Sequence, residues 1–397
     1  MRQLFLPLCS FAFCLSMAAQ PLTLPPHRDG WMDIHCIATG MGEANLIIMP
    51  DGTSLLVDAG DVGQAWEGST QPDPDKSAGE NISAYISHFT GRDTLDYFLL
   101  THFHADHFGN TETMAESGKG YGLSGITMVG ENTWTDTFVD RDYPSYNFPT
   151  EEAYAKKPFF PHYRKFLEAK VAEGAKVERF AVGSRRQFRM KRNPRPWKKD
   201  FEVYNMAGGG MVHSRGLRRT RPMFHGNPTG YDENSLSCVF RLRYGKFSLY
   251  SGGDLSGSNY GLKKKRADRD FESQVAPLCG KVSVMLADHH GWKDAVNPNM
   301  LWTLAPEVVI IPAAEPGHPD RQTLARLTDP QYPGRRMLFT TSGRAASRIE
   351  EELWKQVKPW GHVVVRVYEG GTAFQIFVLD ALSPNYRIIY NTDRIEL

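Results

Sequence analysis

The feature that most constrains the fold is the stretch THFHADHFGN at positions 101–110. It holds His102, His104, Asp106 and His107, and it follows the apolar run LDYFLLT, which has the pattern of a buried strand. If the chain is still extended there, a period of two places His102 and His104 on one side, while Asp106 and His107 turn toward a second point. Imidazole and carboxylate are ligands of zinc and similar divalent ions. The spacing predicts two adjacent metals at a strand end; the alternative is a hydrogen-bonded structural cluster.

Two further strand ends carry candidate ligands. Asp254 ends the stretch YSGGD, and we predict that its carboxylate lies between the two cations and bridges them. The pair His289–His290 follows the apolar run KVSVMLA; we predict that His289 binds a metal and that His290 points into the pocket toward substrate. Asp58, in LLVDAG, either orients a ligand or holds the turn at Gly60.

These assignments define a hydrolytic site. The predicted metal ligands are His102, His104, Asp106, His107, Asp254 and His289. The predicted catalytic residues are Asp106, His290 and His318; for His318, in the stretch GHP, the alternative is a turn histidine beside proline. The expected cofactors are two divalent ions, zinc first and manganese as the alternative. Such a pair lowers the pKa of water between the ions and supplies hydroxide at neutral pH.

Length and composition are those of a globular protein. The chain has 397 residues, of which 41% are hydrophobic and 23% charged, enough for one large or two modest domains. Apolar runs with strand and helix patterns alternate in both halves, which indicates layered α/β or α+β packing. The net charge of +1 by itself indicates neither a nucleic-acid nor a membrane partner.

The N-terminus has the pattern of a secretory signal. Arg2 supplies the positive charge, an apolar core follows, and Ala18–Ala19 offers a cleavage site. We expect a signal peptide at 1–19 and an exported chain at 20–397, secreted or periplasmic. The alternative is a membrane anchor, but the run is short for a span and no second one follows, so no stable membrane insertion is expected.

Positive charge is concentrated in the segment 185–221. It contains twelve Lys and Arg against two acidic residues, and Phe188 and Trp197 are interleaved with its basic residues. This pattern favours a polyanionic or phosphorylated substrate; the alternative is a solvated charged face. With the aromatic stretch before it, the segment reads as an insertion at about 130–230 within a single domain. No protein partner is inferable.

The order of these motifs resembles the metallo-β-lactamase fold superfamily. The closer resemblance is to the metallo-hydrolase domain of DNA-uptake competence proteins and their stand-alone secreted relatives. It is carried by GMGEANLIIMPDGTSLLVDAG, LTHFHADHFGN, ENSLSCVFRLRYGKFSLYSGGDL, ADHHGW and PGHPDRQTL, which together span about Ile34 to Leu327. The resemblance implies an α+β fold, a four-layer αββα sandwich with a two-metal hydrolytic site at one edge of the sheets.

The chain also departs from the family pattern. Trp292 stands where serine usually follows HHG, and Ala38 stands where an acidic residue often opens the GxGE stretch. Most members supply a third histidine to the first metal, and none occurs at the expected place. Candidates for that ligand are Asn205, His213 and His225; alternatively, Asp254 and water complete the site.

Three functions fit these observations. The first is a secreted metal-dependent hydrolase of the phosphodiesterase or nuclease type, which the basic segment and the resemblance favour. The second is a hydrolase of lactone, thioester or β-lactam substrates, which should have a more apolar pocket. The third is a non-catalytic metal-binding relative; loss of the histidine cluster would favour it, and the cluster is intact.

Overall fold

The computed structural model describes most of the chain after the N-terminus. The described residues are 23–40, 42–63, 73–214, 216, 219–224, 226, 232–257, 269–313, 315–334 and 336–397. The predicted signal peptide at 1–19 lies outside them. Within the described part, no helix is long and apolar enough to cross a membrane.

The described residues contain twenty-two strands, several of them only two residues long. In chain order they are β1 Met32–Cys36, β2 Asn45–Ile48, β3 Ser54–Val57, β4 Thr94–Leu95, β5 Tyr97–Leu99, β6 Ala115–Glu116, β7 Gly122–Leu123, β8 Trp134–Thr135, β9 Thr137–Asp140, β10 Lys176–Arg179, β11 Phe201–Gly208, β12 Met211–Ser214, β13 Arg219–Pro222, β14 Val239–Tyr244, β15 Phe247–Ser251, β16 Val284–Leu286, β17 Val308–Ile311, β18 Met337–Thr340, β19 His362–Val367, β20 Ala373–Leu379, β21 Ile388–Asn391 and β22 Ile395–Glu396.

The α-helices are mostly short. They are α1 Ala78–Thr90, α2 Ala105–Phe108, α3 Gly125–Asn132, α4 Glu151–Ala155, α5 Phe160–Ala172, α6 Glu272–Cys279, α7 Pro298–Leu304, α8 Arg321–Thr328 and α9 Glu351–Trp354. Helix α1 shows why such boundaries form: Ser77 and Glu80 make a reciprocal capping box at its start, and Gly91 ends it with a left-handed φ of 66°.

Most strands belong to two large mixed sheets. The first sheet has the order β10-β9-β5-β3-β2-β1-β19-β20-β21, with β22 also paired to β20, and the second has the order β13-β12-β11-β14-β15-β16-β17-β18. An apolar cluster built from both sheets, including Ile34, Leu55, Phe240 and Leu249, fills the space between them. Helices α1, α3 and α5 cover the outer face of the first sheet, and α6, α7 and α8 that of the second. The fold is therefore an α+β, four-layer αββα sandwich.

The segment 130–230 contributes to both sheets of this sandwich. It supplies β9 and β10 to one edge of the first sheet and β11, β12 and β13 to the second sheet. Apolar residues within it belong to the core, such as Val203 in β11 and Phe188 in the loop before that strand.

The layers position the candidate site at one end of the strands. Strands β3 and β5 are parallel neighbours, and so are β15, β16 and β17. The carboxyl ends of parallel neighbours lie at the same edge of a sheet. The loops after β3 and β5 carry Asp58 and His102, and those after β15 and β16 carry Asp254 and His290.

Candidate metal centre

The carboxylate of Asp254 lies at the centre of the histidine cluster. Its Oδ1 is 3.1 Å from His107 Nε2 and 3.4 Å from His290 Nε2. Its Oδ2 is 3.7 Å from His102 Nε2 and 3.8 Å from His289 Nε2. The two oxygens therefore face different sets of imidazoles, as a carboxylate shared by two ions requires.

The candidate ligands form two groups that share Asp254. The first group is His102, His104 and Asp254, and the second group is Glu43, His107, Asp254 and His290; within each, the ligand atoms lie within 4.8 Å of one another. Asp106 joins the second group, since its Oδ2 is 3.1 Å from His290 Nε2.

Hydrogen bonds to the Nδ1 atoms orient three imidazole rings so that their Nε2 atoms point into the site. His107 Nδ1 contacts Asp58 Oδ2 at 2.8 Å, and His290 Nδ1 contacts the carbonyl oxygen of Pro312 at 2.6 Å. His102 Nδ1 contacts the Thr101 hydroxyl at 3.1 Å, and that hydroxyl donates to Asp58 at 2.7 Å. A neutral histidine whose Nδ1–H is donated in this way presents an unprotonated Nε2, the form that binds metals.

This arrangement fits a cation. If both rings are neutral with Nδ1 donating, the Nε2 atoms of His107 and His290 present lone pairs to each other across 3.2 Å, which is repulsive unless a proton or a metal ion lies between them and the carboxylates. His102 Nε2 is buried and has no hydrogen-bond partner among the described residues, which is costly in a protein interior. Imidazole and carboxylate together are the donor set for zinc and related divalent ions.

The electrostatics point the same way. Burial by itself would lower the pKa of His290, but Asp254 and Asp106 outweigh it and raise the pKa to about 9. Burial likewise opposes ionisation of Asp254, but His107 and the other imidazoles hold the pKa of that carboxyl well below its usual range. Burial raises the pKa of Glu43 to about 7. The buried carboxylates thus stabilise a positive charge at the Nε2 atom of His290, where a metal ion can take the place of the proton.

His289 and His290 take different positions from those that the sequence predicts. Both have left-handed φ values, 46° and 53°, inside the 3-10 turn Asp288–Gly291, so strand alternation does not apply to them. The structure brings His290, fully buried, into the second group. His289 keeps an 18% exposed side chain, with Nδ1 2.7 Å from Asp294 Oδ1 and Nε2 3.1 Å from the amide of Asn234.

His318 packs directly against the second group. Its ring stacks on that of His290 at a centroid distance of 4.9 Å, and its Nδ1 accepts from the backbone N–H of Glu315 at 3.2 Å. Burial and the neighbouring imidazoles hold its pKa well below the usual value, so the ring is neutral. Its position beside a candidate ligand agrees with a role at the site or with support of the His290 ring.

The predicted substitutes for a third histidine lie elsewhere. The Asn205 amide donates to Gln187 Oε1 at 2.8 Å, and His213 Nδ1 is hydrogen-bonded to the Tyr204 hydroxyl. Neither residue is near the first group; His225 lies outside the described residues. For Asn205, the strand period turns the side chain toward the segment 181–187 instead of the metal edge.

Sequence reasoning missed two residues of the site. Glu43 joins the second group through the stretch GMGEANL, and Asn234 contacts His289 from the stretch DENSL. Both stretches contributed to the family resemblance. Neither contains a histidine or a spacing of ligand residues that would mark a metal site. Only the convergence of distant loops shows their position.

A polar pocket opens beside the first group. Its volume is about 490 Å³, and it is lined by His104, Pro149, Thr150, Glu152, Ala153, Lys156, Lys157, Asp232, Glu233 and Leu236. Because His104 forms part of its wall, a molecule bound there would reach the first group. Charged side chains of both signs make up half of the lining.

The first part of the basic segment, residues 185–199, lies at the opposite end of the sandwich. A groove of about 790 Å³ is lined by Arg185, Arg186, Phe188, Arg189, Met190, Lys191, Pro194, Lys198, Lys199, Phe201, Glu202 and Arg243. The Lys191 backbone N–H donates to the Thr53 hydroxyl, at the start of β3, whereas Asp58 follows the end of β3. Five residues of extended chain lead from Thr53 to Asp58. At about 3.3 Å per residue, they separate the groove from the metal centre by roughly 17 Å. Phe188 is only 1% exposed, so it is unavailable for stacking on a base.

Comparisons with known proteins give structural likenesses alone. No protein-family model matches this sequence, and no curated protein sequence matches it. One similar solved structure is CmlA, a diiron β-hydroxylase from Streptomyces venezuelae, with 11% identity, a TM-score of 0.37, and coverage of 74% of this chain and 47% of that one. The chain spans about half the length of the CmlA chains it matches.

Two other similar structures are matched over most of their own length. Zn²⁺-bound PqqB from Methylobacterium extorquens has 12% identity and a TM-score of 0.37, with 77% of this chain and 97% of that one covered. The short form of human tRNase Z has 10% identity and a TM-score of 0.31, with 70% and 90% covered. Values this low carry no argument about activity. The four-layer sandwich and the histidine motif at the strand ends are the features that the sequence resemblance predicts.

Proposed function

We propose that this protein is a metal-dependent hydrolase that uses two divalent ions sharing Asp254. The observation that carries the proposal is the position of that carboxylate, with Oδ1 3.1 Å from His107 Nε2 and Oδ2 3.7 Å from His102 Nε2. His102 and His104 would hold the first ion, and His107, His290 and Asp106 the second. Zinc suits these donors best, with manganese as the alternative.

The chain's own residues divide the remaining tasks. Two bound ions would supply a hydrolytic nucleophile from water and stabilise negative charge that develops on the scissile group. Asp58 fixes the ring of His107, and the Pro312 carbonyl fixes that of His290. His289 is partly exposed, with Nδ1 on Asp294 and Nε2 beside the Asn234 amide. Burial opposes protonation of this ring, but Asp254 and Asp294 outweigh it and raise its pKa. We assign to the protonated ring the contact with substrate, including proton donation to a leaving group.

The lining of the pocket supports a polar substrate. Its charged wall, in which Lys156 and Lys157 are already paired with Glu152 and Glu233, disfavours an apolar lactone, thioester or β-lactam, and the choice of a phosphoric ester rests on the sequence resemblance. The charged groove at the far end does not reach the scissile bond of a small molecule. Binding of a polyanion there, and export of the chain, remain separate proposals that rest on the sequence.

A substrate panel on the metal-loaded protein tests this proposal. We expect turnover of a chromogenic phosphodiester that exceeds turnover of matched phosphomonoester, lactone and cephalosporin substrates and is lost with a chelator. The control is the His104→Ala variant, which should lose the same activity. Preferential lactone or cephalosporin turnover would replace phosphodiesters as the substrate class, and no turnover of any substrate by a fully metallated chain would favour the non-catalytic alternative.

A further inference from the structure

The 3-10 turn Glu233–Leu236 touches both of the loops that carry the site's histidines. Glu233 Oε1 accepts from the backbone N–H of Phe103 at 3.1 Å, and Phe103 is the residue between His102 and His104. The next residue, Asn234, places its amide 3.1 Å from His289 Nε2. One turn therefore links the H-x-H motif to the HHG loop.

Glu233 is held by two basic side chains that also contact Phe103. Arg141 makes a bidentate ion pair with it, Nε to Oε1 at 2.7 Å and Nη2 to Oε2 at 2.9 Å. Lys157 Nζ lies 3.4 Å from Glu233 Oε2 and donates to the Phe103 carbonyl oxygen at 2.8 Å. Both polar groups of Phe103 are thus fixed, the N–H by Glu233 and the C=O by Lys157.

These charges occupy an interior position. Arg141 is 3% exposed and lies over the rings of Phe103 and Tyr154, at 4.8 Å and 5.2 Å from their centroids. Apolar side chains of similar size commonly stabilise a core as well as a buried ion pair does. A buried pair that also grips the backbone between two candidate ligands has a geometric effect that apolar packing would not provide.

The first group has particular need of such support. Within the described residues it consists of two imidazoles and the shared carboxylate, whereas the second group contains two imidazoles, Asp254, Glu43 and the adjacent Asp106. With fewer ligands, the affinity of the first group depends more strongly on how well the ligands are held before the ion arrives.

We propose that Arg141, Glu233 and Lys157 are positioning residues that fix the Phe103 peptide so that His102 and His104 converge on one ion. The proposal rests on the two-metal site of the proposed function. It is tested by metal binding alone, so a chain without hydrolytic activity would leave the test intact.

Adjacent lysines supply a matched pair of variants for the test. Lys157 has a 16% exposed side chain and contacts Phe103, whereas Lys156 has a 72% exposed side chain and pairs with Glu152. In the full-length protein titrated with Co²⁺, Lys157→Met should weaken the first site by about 10–100-fold and leave the second unchanged. Lys156→Met should bind both ions as the unmodified chain does.

Reference spectra identify the site that is lost. The cobalt absorption of Lys157→Met at limiting metal should match that of His104→Ala, which removes a first-group ligand, and not that of Asp106→Ala. Glu233→Gln keeps an acceptor for the Phe103 N–H but removes the charge, and it should give the same selective loss. If Glu233→Gln does not fold, Lys157→Met decides alone, since it leaves the Arg141–Glu233 pair in place.

Two results would overturn the proposal. One is wild-type affinity at both sites in a folded Lys157→Met variant. The other is an equal loss from both sites together with a lower Tm, which would make the cluster a contributor to stability only. An unmodified chain that binds no cobalt at all would instead contradict the proposed function, so the two failures are distinguishable.

Discussion

At the scale of single residues, ring orientation predicts which histidines would hold a metal ion. His290 is buried with Nδ1 on the Pro312 carbonyl, whereas His289 is partly exposed with Nδ1 on Asp294. His290→Ala should therefore lose the second ion. His289→Ala should retain both ions and lower kcat on a phosphodiester by ~10²–10⁴-fold, the range for a lost proton donor. Metal content measured beside kcat checks this; metal loss in His289→Ala with retention in His290→Ala would restore the assignment that the sequence favoured.

Two buried histidines away from the metal centre predict an acid-sensitive fold. Burial lowers the pKa of His35 and of His362 to about 3, far below the value of 6.5 expected in the unfolded chain. The folded state therefore binds fewer protons, so this stability is complete above pH 6.5 and is lost as the pH falls toward 3. Each ring contributes about 1.4 kcal/mol per pH unit in that window.

Urea unfolding of the metal-free protein between pH 7.5 and pH 4.5 measures this effect. The free energy of unfolding should fall more steeply in the unmodified chain than in a His35→Gln, His362→Gln double variant. A matched control is His27→Gln, because His27 is only partly buried and its ring contacts the Trp31 carbonyl. Equal slopes in the unmodified chain and the double variant would refute the assignment.

The site residues that lie within a single short motif were predictable from the sequence. The H-x-H-x-D-H spacing predicts His102, His104, Asp106 and His107 because these four ligands lie within six residues. The positions of His289 and His290 depend on a left-handed turn that strand alternation does not anticipate. Glu43 reaches the site through tertiary packing alone, and no local pattern encodes that.

At the scale of elements, the loops after β3 and β5 are joined so closely that glycine is required between them. The backbone N–H of Ala59 donates to the His107 carbonyl, and that of Asp61 to the Ala105 carbonyl. A Cβ on Gly60 would lie 1.8 Å from the Asp106 carbonyl oxygen. Gly60→Ala should displace the Asp106 loop, lower the Tm and weaken the second metal site.

The control for this variant is Gly216→Ala, because no atom lies within 4 Å of a Cβ at that position. Differential scanning calorimetry with metal analysis reads out both effects. Wild-type Tm and metal content in Gly60→Ala would show that the two loops separate without cost, contrary to their hydrogen bonding.

Elements with strong local signals were predictable, and those set by tertiary pairing were not. The apolar spacing of Ile82, Tyr85 and Ile86 predicts a helix, and α1 covers those residues. The stripe of Ile349, Leu353 and Val357 also predicts a helix, but only Glu351–Trp354 is α-helical. Val357 forms a bridge with Leu338, near the start of β18, and this pairing draws the chain out of the helix.

At the scale of the whole molecule, the basic groove and the metal centre occupy opposite ends of the strands. Replacing Arg186, Arg189, Lys198 and Lys199 with Gln should leave metal content and turnover of a small phosphodiester unchanged, because the groove lies roughly 17 Å from the site. If the groove binds a polyanion, the same variant should weaken that binding and flatten its salt dependence. A large loss of small-substrate turnover with intact metal would show that the groove acts on the site.

The central claim is that one carboxylate, Asp254, joins two metal sites, and the metal stoichiometry of three chains tests it most directly. After zinc loading and removal of free metal, elemental analysis should give two ions per unmodified chain. Asp106→Ala should retain one ion, since only the second group loses a ligand, and Asp254→Ala should retain neither at full occupancy, since both groups lose one. One ion in the unmodified chain, or two ions in Asp254→Ala, would contradict the account.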